Sequence, residues 1–424
     1  MARNCCVLCG SSIRRRDSTM AWITPVDDNL PVPTVRFATA NSTLYPLDAE
    51  GGTQVNIAFT EMQEGVPITL YWALRDQQDS PLEAFVTTGS ATGSVEVEIA
   101  AVLIGRCIGK TVTIWYETAI GDSRRLDLTI EFIKPQDLPA PVFFDAVEYD
   151  GGRWLDLRKF RGDARVELKA PPFLAVGQRL WILAVGNEHH VGNFRYQWVF
   201  DGHIVRAEET VPGFVFRPLL SREWLADCED WSSVTLNVAI TYDGAPGTEP
   251  ADPQISLLPA NAHELRRTTE NLRLGEPEPL PFDDLSDFTD HNWNHWEKGP
   301  GAADPRDMVI VNEGEHWYLY NYTYTNQSAG TVLTKDYPSL EPGKSYEFSM
   351  DVMRAVGLYA FPRLSVLVNG EACIEPTDIT HRDWAWMAAK FTATTAANRV
   401  EIVSHVATGS GNDYALDNLR LREV

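Results

Sequence analysis

The residues best placed to recognise a ligand lie in the last third of the chain. The run Trp317-Tyr318-Leu319-Tyr320-Asn321-Tyr322-Thr323-Tyr324 alternates tyrosine with other residues. On a strand, side chains alternate between faces, so its four tyrosines share one face and Trp317, Leu319, Asn321 and Thr323 share the other. Upstream, Asp290-His291-Asn292-Trp293-Asn294-His295-Trp296 mixes indole rings with polar groups, and Trp384 and Trp386 follow downstream. A pyranose ring presents an apolar C–H face that stacks on an aromatic ring, while its hydroxyls pair with neighbouring polar groups. Trp293, Trp296, Tyr320, Tyr322 and Trp384 are therefore the candidate ligand-binding residues, expected to line one cleft or groove. The competing reading is that one face of the tyrosine strand is core and the Trp pair caps it.

Other chemistry is thinly represented. The chain has no HExxH, no Gly-x-Ser-x-Gly and no phosphate-binding loop; Gly89-Ser90-Ala91-Thr92-Gly93-Ser94 lacks the lysine and the following helix. Cys6-Val7-Leu8-Cys9 is a lone CxxC without a second ligand pair. No catalytic residues are assigned, and the expectation is a protein that is not an enzyme. A glycosidase would need two carboxylates facing one cleft, which sequence alone does not exclude.

Composition narrows the partners. The net charge of −23 repels phosphate backbones and anionic lipid, so nucleic acid is not expected. No apolar run approaches the roughly 20 residues that span a bilayer. Residues 1–31 read as a tail without a secretory signal, its Arg14-Arg15-Arg16 lacking an apolar stretch behind it. The expectation is synthesis in the cytoplasm, with release or surface action by another route. Cys107, Cys228 and Cys373 fall one per expected module, so no module can close its own disulfide.

These groups must be positioned by strands. Val95–Ile99, Leu126–Phe132, Tyr346–Met350 and Leu364–Val368 alternate apolar and polar residues, the last running into an Asn369-Gly370 hairpin turn. Helical periodicity is nearly absent, with residues 262–272 the one short candidate. Proline-dense segments at 134–141 and 275–281 mark boundaries. The expected fold is all-β, in three parts. Residues 32–136 and 138–262 form sandwiches, 263–280 a linker and 281–424 a jelly roll. The sandwiches read as divergent copies, since Val55-Asn56-Ile57 then Gly65, and Val166-Glu167-Leu168 then Gly177, have near-equal spacing.

Two resemblances sharpen this. Tyr196-Gln197-Trp198-Val199-Phe200-Asp201-Gly202 resembles the third strand and turn of Ig-like domains, where a Trp packs mid-sandwich; residues 32–259 look like the tandem Ig-like repeats of bacterial surface proteins, without the usual cysteine pair. Residues 281–424 resemble the jelly-roll carbohydrate-binding modules of families 4 and 9. The matching features are Phe282-Asp283, the turn Pro342-Gly343 before Tyr346-Glu347-Phe348, the Trp384/Trp386 strand and the terminal Leu416-Asp417-Asn418. The second resemblance implies a glycan or cell-surface glycoconjugate as partner. It also implies a structural Ca2+ held by Asp283 and Asp417, with backbone carbonyls completing the shell. The expected function is glycan recognition by the last module on an Ig-like stalk. The alternative is a structural or assembly protein, such as a phage-tail, surface-fibre or toxin accessory component, binding protein partners or its own copies.

Overall fold

In the computed structural model of the chain, residues 30–188, 193–253, 255–276, 282–314 and 316–424 are described. The CxxC, most of the tail and the prolines at 277–281 lie outside them. Among the described residues the fold is almost wholly β, with short helices only at Ala101–Arg106 and Arg222–Ala226 besides single 3-10 turns. No helix among the described residues is long and apolar enough to cross a membrane. The described chain divides into two compact units: residues 30–44, 52–100 and 109–130, and residues 45–51, 101–108 and 131 onward.

The first unit is a sandwich. One sheet orders Thr34–Val35, Thr53–Ala58 and Ser94–Ile99; the other orders Thr43–Leu44, Leu126–Ile130, Thr111–Thr118, Pro67–Leu74 and Glu83–Thr88. The alternation in Ser94–Ile99 has a direct packing cause: Val97 and Ile99 are buried while Glu96 and Glu98 face water. Val55, Ile57, Ile68, Leu70 and Trp72 are wholly buried and form much of the core.

The second unit begins with a sandwich wound in the same order. Val142–Phe143, Ala164–Lys169 and the pair Val215–Phe216 and Leu219–Leu220 make one sheet. In the other, Gly152–Asp156 runs parallel to Thr268–Arg273, followed by Ser233–Thr241, Arg179–Gly186 and Arg195–Ile204. The first unit has the same feature, a short strand parallel to the last one.

Two expectations are corrected here. The expected linker of residues 263–280 does not begin at 263, nor do residues 262–272 form a helix. His263–Glu264 and Thr268–Arg273 are strands that close this sandwich. Burial in Thr268–Arg273 has period two, with Glu270 and Leu272 inward, and tertiary pairing outweighs the weak helical pattern. Trp198 does not pack mid-sandwich. It lies on Arg195–Ile204, opposite Leu183, half-buried. It packs against a small second core of Trp181, Leu183, Val185, Ala239 and Leu258. The buried indole is Trp181, on the neighbouring strand Arg179–Gly186.

The C-terminal module is a two-sheet antiparallel sandwich. Glu297–Lys298, Gly330–Tyr337, Asn398–Ser404, Arg363–Val368 and Glu371–Asp378 form one sheet. The other orders Val309–Glu313, His316–Asn321, Tyr414–Glu423, Ser345–Arg354 and Ala385–Thr392, with Asp283–Ser286 also on Tyr414–Glu423. Leu319, Phe348, Met350, Val352, Leu416 and Leu421 point into the core. The intervening residues form the outer face of the second sheet, and the preceding sandwich covers one end of that face. Glu347 accepts from Arg422 at 2.8 Å and from Arg165 at 3.2 Å, Arg165 also pairs with Asp145, and the Phe144 and Trp386 rings lie 4.3 Å apart.

Candidate functional site

The uncovered end of that outer face carries the tyrosines. Leu319, Asn321 and Thr323 are fully buried. Their burial anchors the strand and sends the alternating tyrosines the other way. Tyr320 and Tyr322 ring centroids are 4.2 Å apart and those of Tyr322 and Tyr324 are 5.6 Å apart, both pairs tilted. Tyr322 and Tyr324 keep 40% and 46% of their surface in solvent. The Arg306 guanidinium, held by Asp304, lies 4.0 Å over the Tyr324 ring and extends the row. Thr323 has a left-handed φ of 43°, and its hydroxyl donates to Asp413 at 2.6 Å. That bond fixes the turn bearing Tyr322 and Tyr324.

A polar group adjoins the row. Tyr318 is buried beneath Trp384, edge to face at 5.5 Å, and His316 lies 5.6 Å from Trp384. Nε2 of His316 shares a 2.8 Å hydrogen bond with Oδ2 of Asp417. Burial pushes the Asp417 carboxyl up to about 6, with His316 pulling the other way; burial also pushes Asp351, beside it, up to about 6. Burial raises Tyr318 and Tyr320 to about 12, so both hydroxyls stay protonated and able to donate at neutral pH.

The structure separates the expected site residues. Tyr320 and Tyr322 are in contact, and Trp384 stands over the neighbouring Tyr318. Trp296 is a core residue, 3% exposed, its indole N–H donating to Ser286 Oγ at 3.0 Å. Trp293 is half-buried against the same core, near Phe288. The physical reason is the path of the chain. Asp290, His291, Asn294 and His295 all take left-handed φ values, coiling the loop so that its indoles turn inward.

The expected calcium pair is also not brought together. Asp283 stands opposite Arg422 and Asp417 opposite Asp351, five residues apart on one strand, or roughly 16 Å at about 3.3 Å per residue. Asp283 is already held by Arg420 through two bonds of 2.7 and 3.0 Å and by Arg161 at 3.2 Å. No cluster of three or more metal-ligating side chains occurs among the described residues.

One element went unread in the sequence. The loop around Leu358, Tyr359 and Phe361 is strongly exposed, with Tyr359 at 71%. Arg354 holds it by stacking on Phe361 at 3.9 Å and donating to the Tyr359 carbonyl at 3.2 Å. Gly411 packs directly against it, and a Cβ there would meet Ala360 N at 2.5 Å. The signal was a Leu-Tyr-Ala-Phe run without alternation, which a strand-based reading passes over.

No family model matches the chain, and no curated protein matches it. Among solved structures it is similar to the EclA C-terminal domain, a sugar-binding protein, at 28% identity and a TM-score of 0.24, over 34% of this chain and 100% of that one. It is similar to the CBM22-1 xylan-binding domain of Paenibacillus barcinonensis Xyn10C at 16% identity and a TM-score of 0.27, over 34% of this chain and 95% of that one. A family 35 carbohydrate binding module from Clostridium thermocellum follows at 12% identity and a TM-score of 0.22, over 33% and 97%. Similarity at this level assigns no ligand; the side chains have to.

Proposed function

We propose that the C-terminal module recognises a glycan, without catalysis, by stacking sugar rings on the row Tyr320-Tyr322-Tyr324, with Trp384 and the Arg306 guanidinium at its margins. The carrying observation is the row itself. Three rings succeed one another at 4.2 and 5.6 Å, two of them 40% and 46% exposed, along the end of a strand and the turn after it, backed by the fully buried Leu319, Asn321 and Thr323. A rigid aromatic row loses little conformational entropy on binding. Its phenolic hydroxyls supply donors and acceptors beside the apolar ring faces. The neighbouring carboxylates are engaged elsewhere, Asp417 by His316 and Asn418 and Asp351 by Asn418, which favours binding over hydrolysis.

The two preceding sandwiches fit an Ig-like reading. Both wind the same strand order, with a short strand parallel to the last, and that shared order supports duplication of one module.

A glycan array with the full chain, followed by calorimetry on the best ligand, tests the proposal. The expected affinity is micromolar to millimolar, since a few stacked rings and hydrogen bonds yield only about 4–8 kcal/mol. Tyr322→Ala and Tyr324→Ala, folded by circular dichroism, should each weaken binding about tenfold. Unchanged affinity in both would overturn the reading.

A further inference from the structure

The first unit leaves one strand edge open. Glu83–Thr88 ends its larger sheet, paired on one side with Pro67–Leu74 and on the other with no strand among the described residues. Alternation decides which backbone groups that edge presents. Gly89 N donates to Val66 O at 2.8 Å, so the ladder bonds to the neighbouring strand run through Gly89, Thr87, Phe85 and Glu83. The amides and carbonyls of Ala84, Val86 and Thr88 then point away from the sheet, and all three residues are exposed, Val86 at 80%. An open row of strand donors and acceptors is a template for a further strand.

The other long edges among the described residues are blunted. Ser94–Ile99 carries Glu96 and Glu98. Arg195–Ile204 breaks register with its neighbour, and Glu371–Asp378 does so as well and holds Pro376. Ala385–Thr392 carries Lys390 and meets the second sandwich through Trp386. Charge, bulges, proline and cover are the devices that stop one sheet adding to another. Glu83–Thr88 has none of them. Its register with Pro67–Leu74 is unbroken, it has no proline, and its one charge, Glu83, stands at its start.

The geometry points to this edge as the contact with a second copy of the chain, the two Glu83–Thr88 strands lying antiparallel about a two-fold axis through Val86. That register is self-complementary. It sets Ala84 against Thr88, Val86 against Val86 and Thr88 against Ala84, and each of these outward-pointing pairs exchanges two hydrogen bonds. The exposed valines meet as a β-branched pair, and Glu83 falls opposite Gly89, so no like charges face one another. Moving the axis by one residue pairs one of the three with Leu82 or Ser90, outside the strand. A two-fold contact is closed, so assembly stops at two. The ladder is short against the roughly 1,200 Å2 that stable interfaces bury, so the dimer is weak, with a Kd on the order of 100 µM. Two joined copies present two C-terminal modules and turn weak single-site binding into avidity on a ligand-bearing surface. That consequence rests on the glycan reading; the pairing does not.

Sedimentation equilibrium of the full chain from about 5 to about 500 µM brackets that affinity. Monomer should give way to dimer, and hydrogen exchange across residues 83–88 should slow as the dimer fills, because free amides gain partners. Val86→Lys sets two ammonium groups against each other at the axis. Val86→Pro removes an outward amide without breaking the ladder to Pro67–Leu74. Each should raise the Kd about tenfold or more at an unchanged melting temperature, while Tyr359→Ser, on a different exposed surface, leaves it unchanged. A monomer at every concentration overturns the inference. So does assembly beyond two, a dimer indifferent to both Val86 variants, or one lost in Tyr359→Ser. Should Val86→Pro fail to fold by its melting curve, Val86→Lys, at a side chain already in solvent, decides alone.

Discussion

Asp351 and Asp417 stand directly opposite one another on antiparallel strands, and the side-chain amide of Asn418 reaches both carboxylates, at 2.8 and 3.4 Å. Burial raises each to about 6 in the folded chain, against an ordinary value of 3.8. A raised carboxyl stabilises the fold fully below its unfolded value, and that stability is lost as pH rises through about 6. Asp351→Asn should therefore raise unfolding free energy at pH 8 by about 1–3 kcal/mol, since each tenfold change in proton affinity is worth about 1.4 kcal/mol. The gain should shrink through pH 6 and vanish near pH 4. Urea titrations at both ends check this; an equal gain at pH 4 and pH 8 would refute the burial argument.

Glu347 is the acceptor shared by Arg165 and Arg422, with its side chain only 3% exposed. Glu347→Ala leaves two buried guanidinium groups short of a partner, which costs about 3–5 kcal/mol. We expect the second unit to unfold in separate steps in that variant and in one step in the wild type. Calorimetry distinguishes the two, and a loss below 1 kcal/mol would mean that the network is incidental.

Trp181 and Trp198 share a small core on the second sandwich, but only Trp181 is fully covered. Trp181→Ala should cost about 3–5 kcal/mol, and Trp198→Ala roughly half of that. The reverse ranking in chemical denaturation would put the register of the Arg179–Gly186 and Arg195–Ile204 hairpin in question.

Asp283 neutralises Arg420 and Arg161. Melting curves should be superimposable in chelator and in millimolar Ca2+, whereas Asp283→Ala lowers the melting temperature. A rise with calcium that Asp283→Ala abolishes would restore a metal role, because a ligand bound only by the native state stabilises it by mass action.

What could be read from the chain was what period-two alternation encodes. Tyr320 and Tyr322 are adjacent because alternating residues share a face, and Leu364–Val368 closes at Asn369-Gly370 because that turn wants two left-handed residues, with φ of 54° and 84°. Trp296 was misplaced because burial of a loop residue depends on the coil of left-handed turns before it, and alternation carries no record of those turns. Residues 268–273 were missed because their strand partners, Ser233–Thr241 and Gly152–Asp156, are distant in the chain and supply the pairing. The Arg165–Glu347 bond joins residues 182 apart, and each reads locally as an ordinary charge on a strand edge.

The last strand of the second sandwich ends at Arg273 and the first strand of the C-terminal module begins at Asp283, so the two sandwiches are nine residues apart in one chain and also share the Glu347 network. A connection that short holds the two faces at an effective concentration of the order of millimolar, so an interface too weak to survive dilution as separate chains stays shut in one. Closure is then independent of protein concentration. Cutting the chain there, rather than mutating the contact, would turn it into an ordinary bimolecular equilibrium, and the Glu347 network would form and dissolve with dilution.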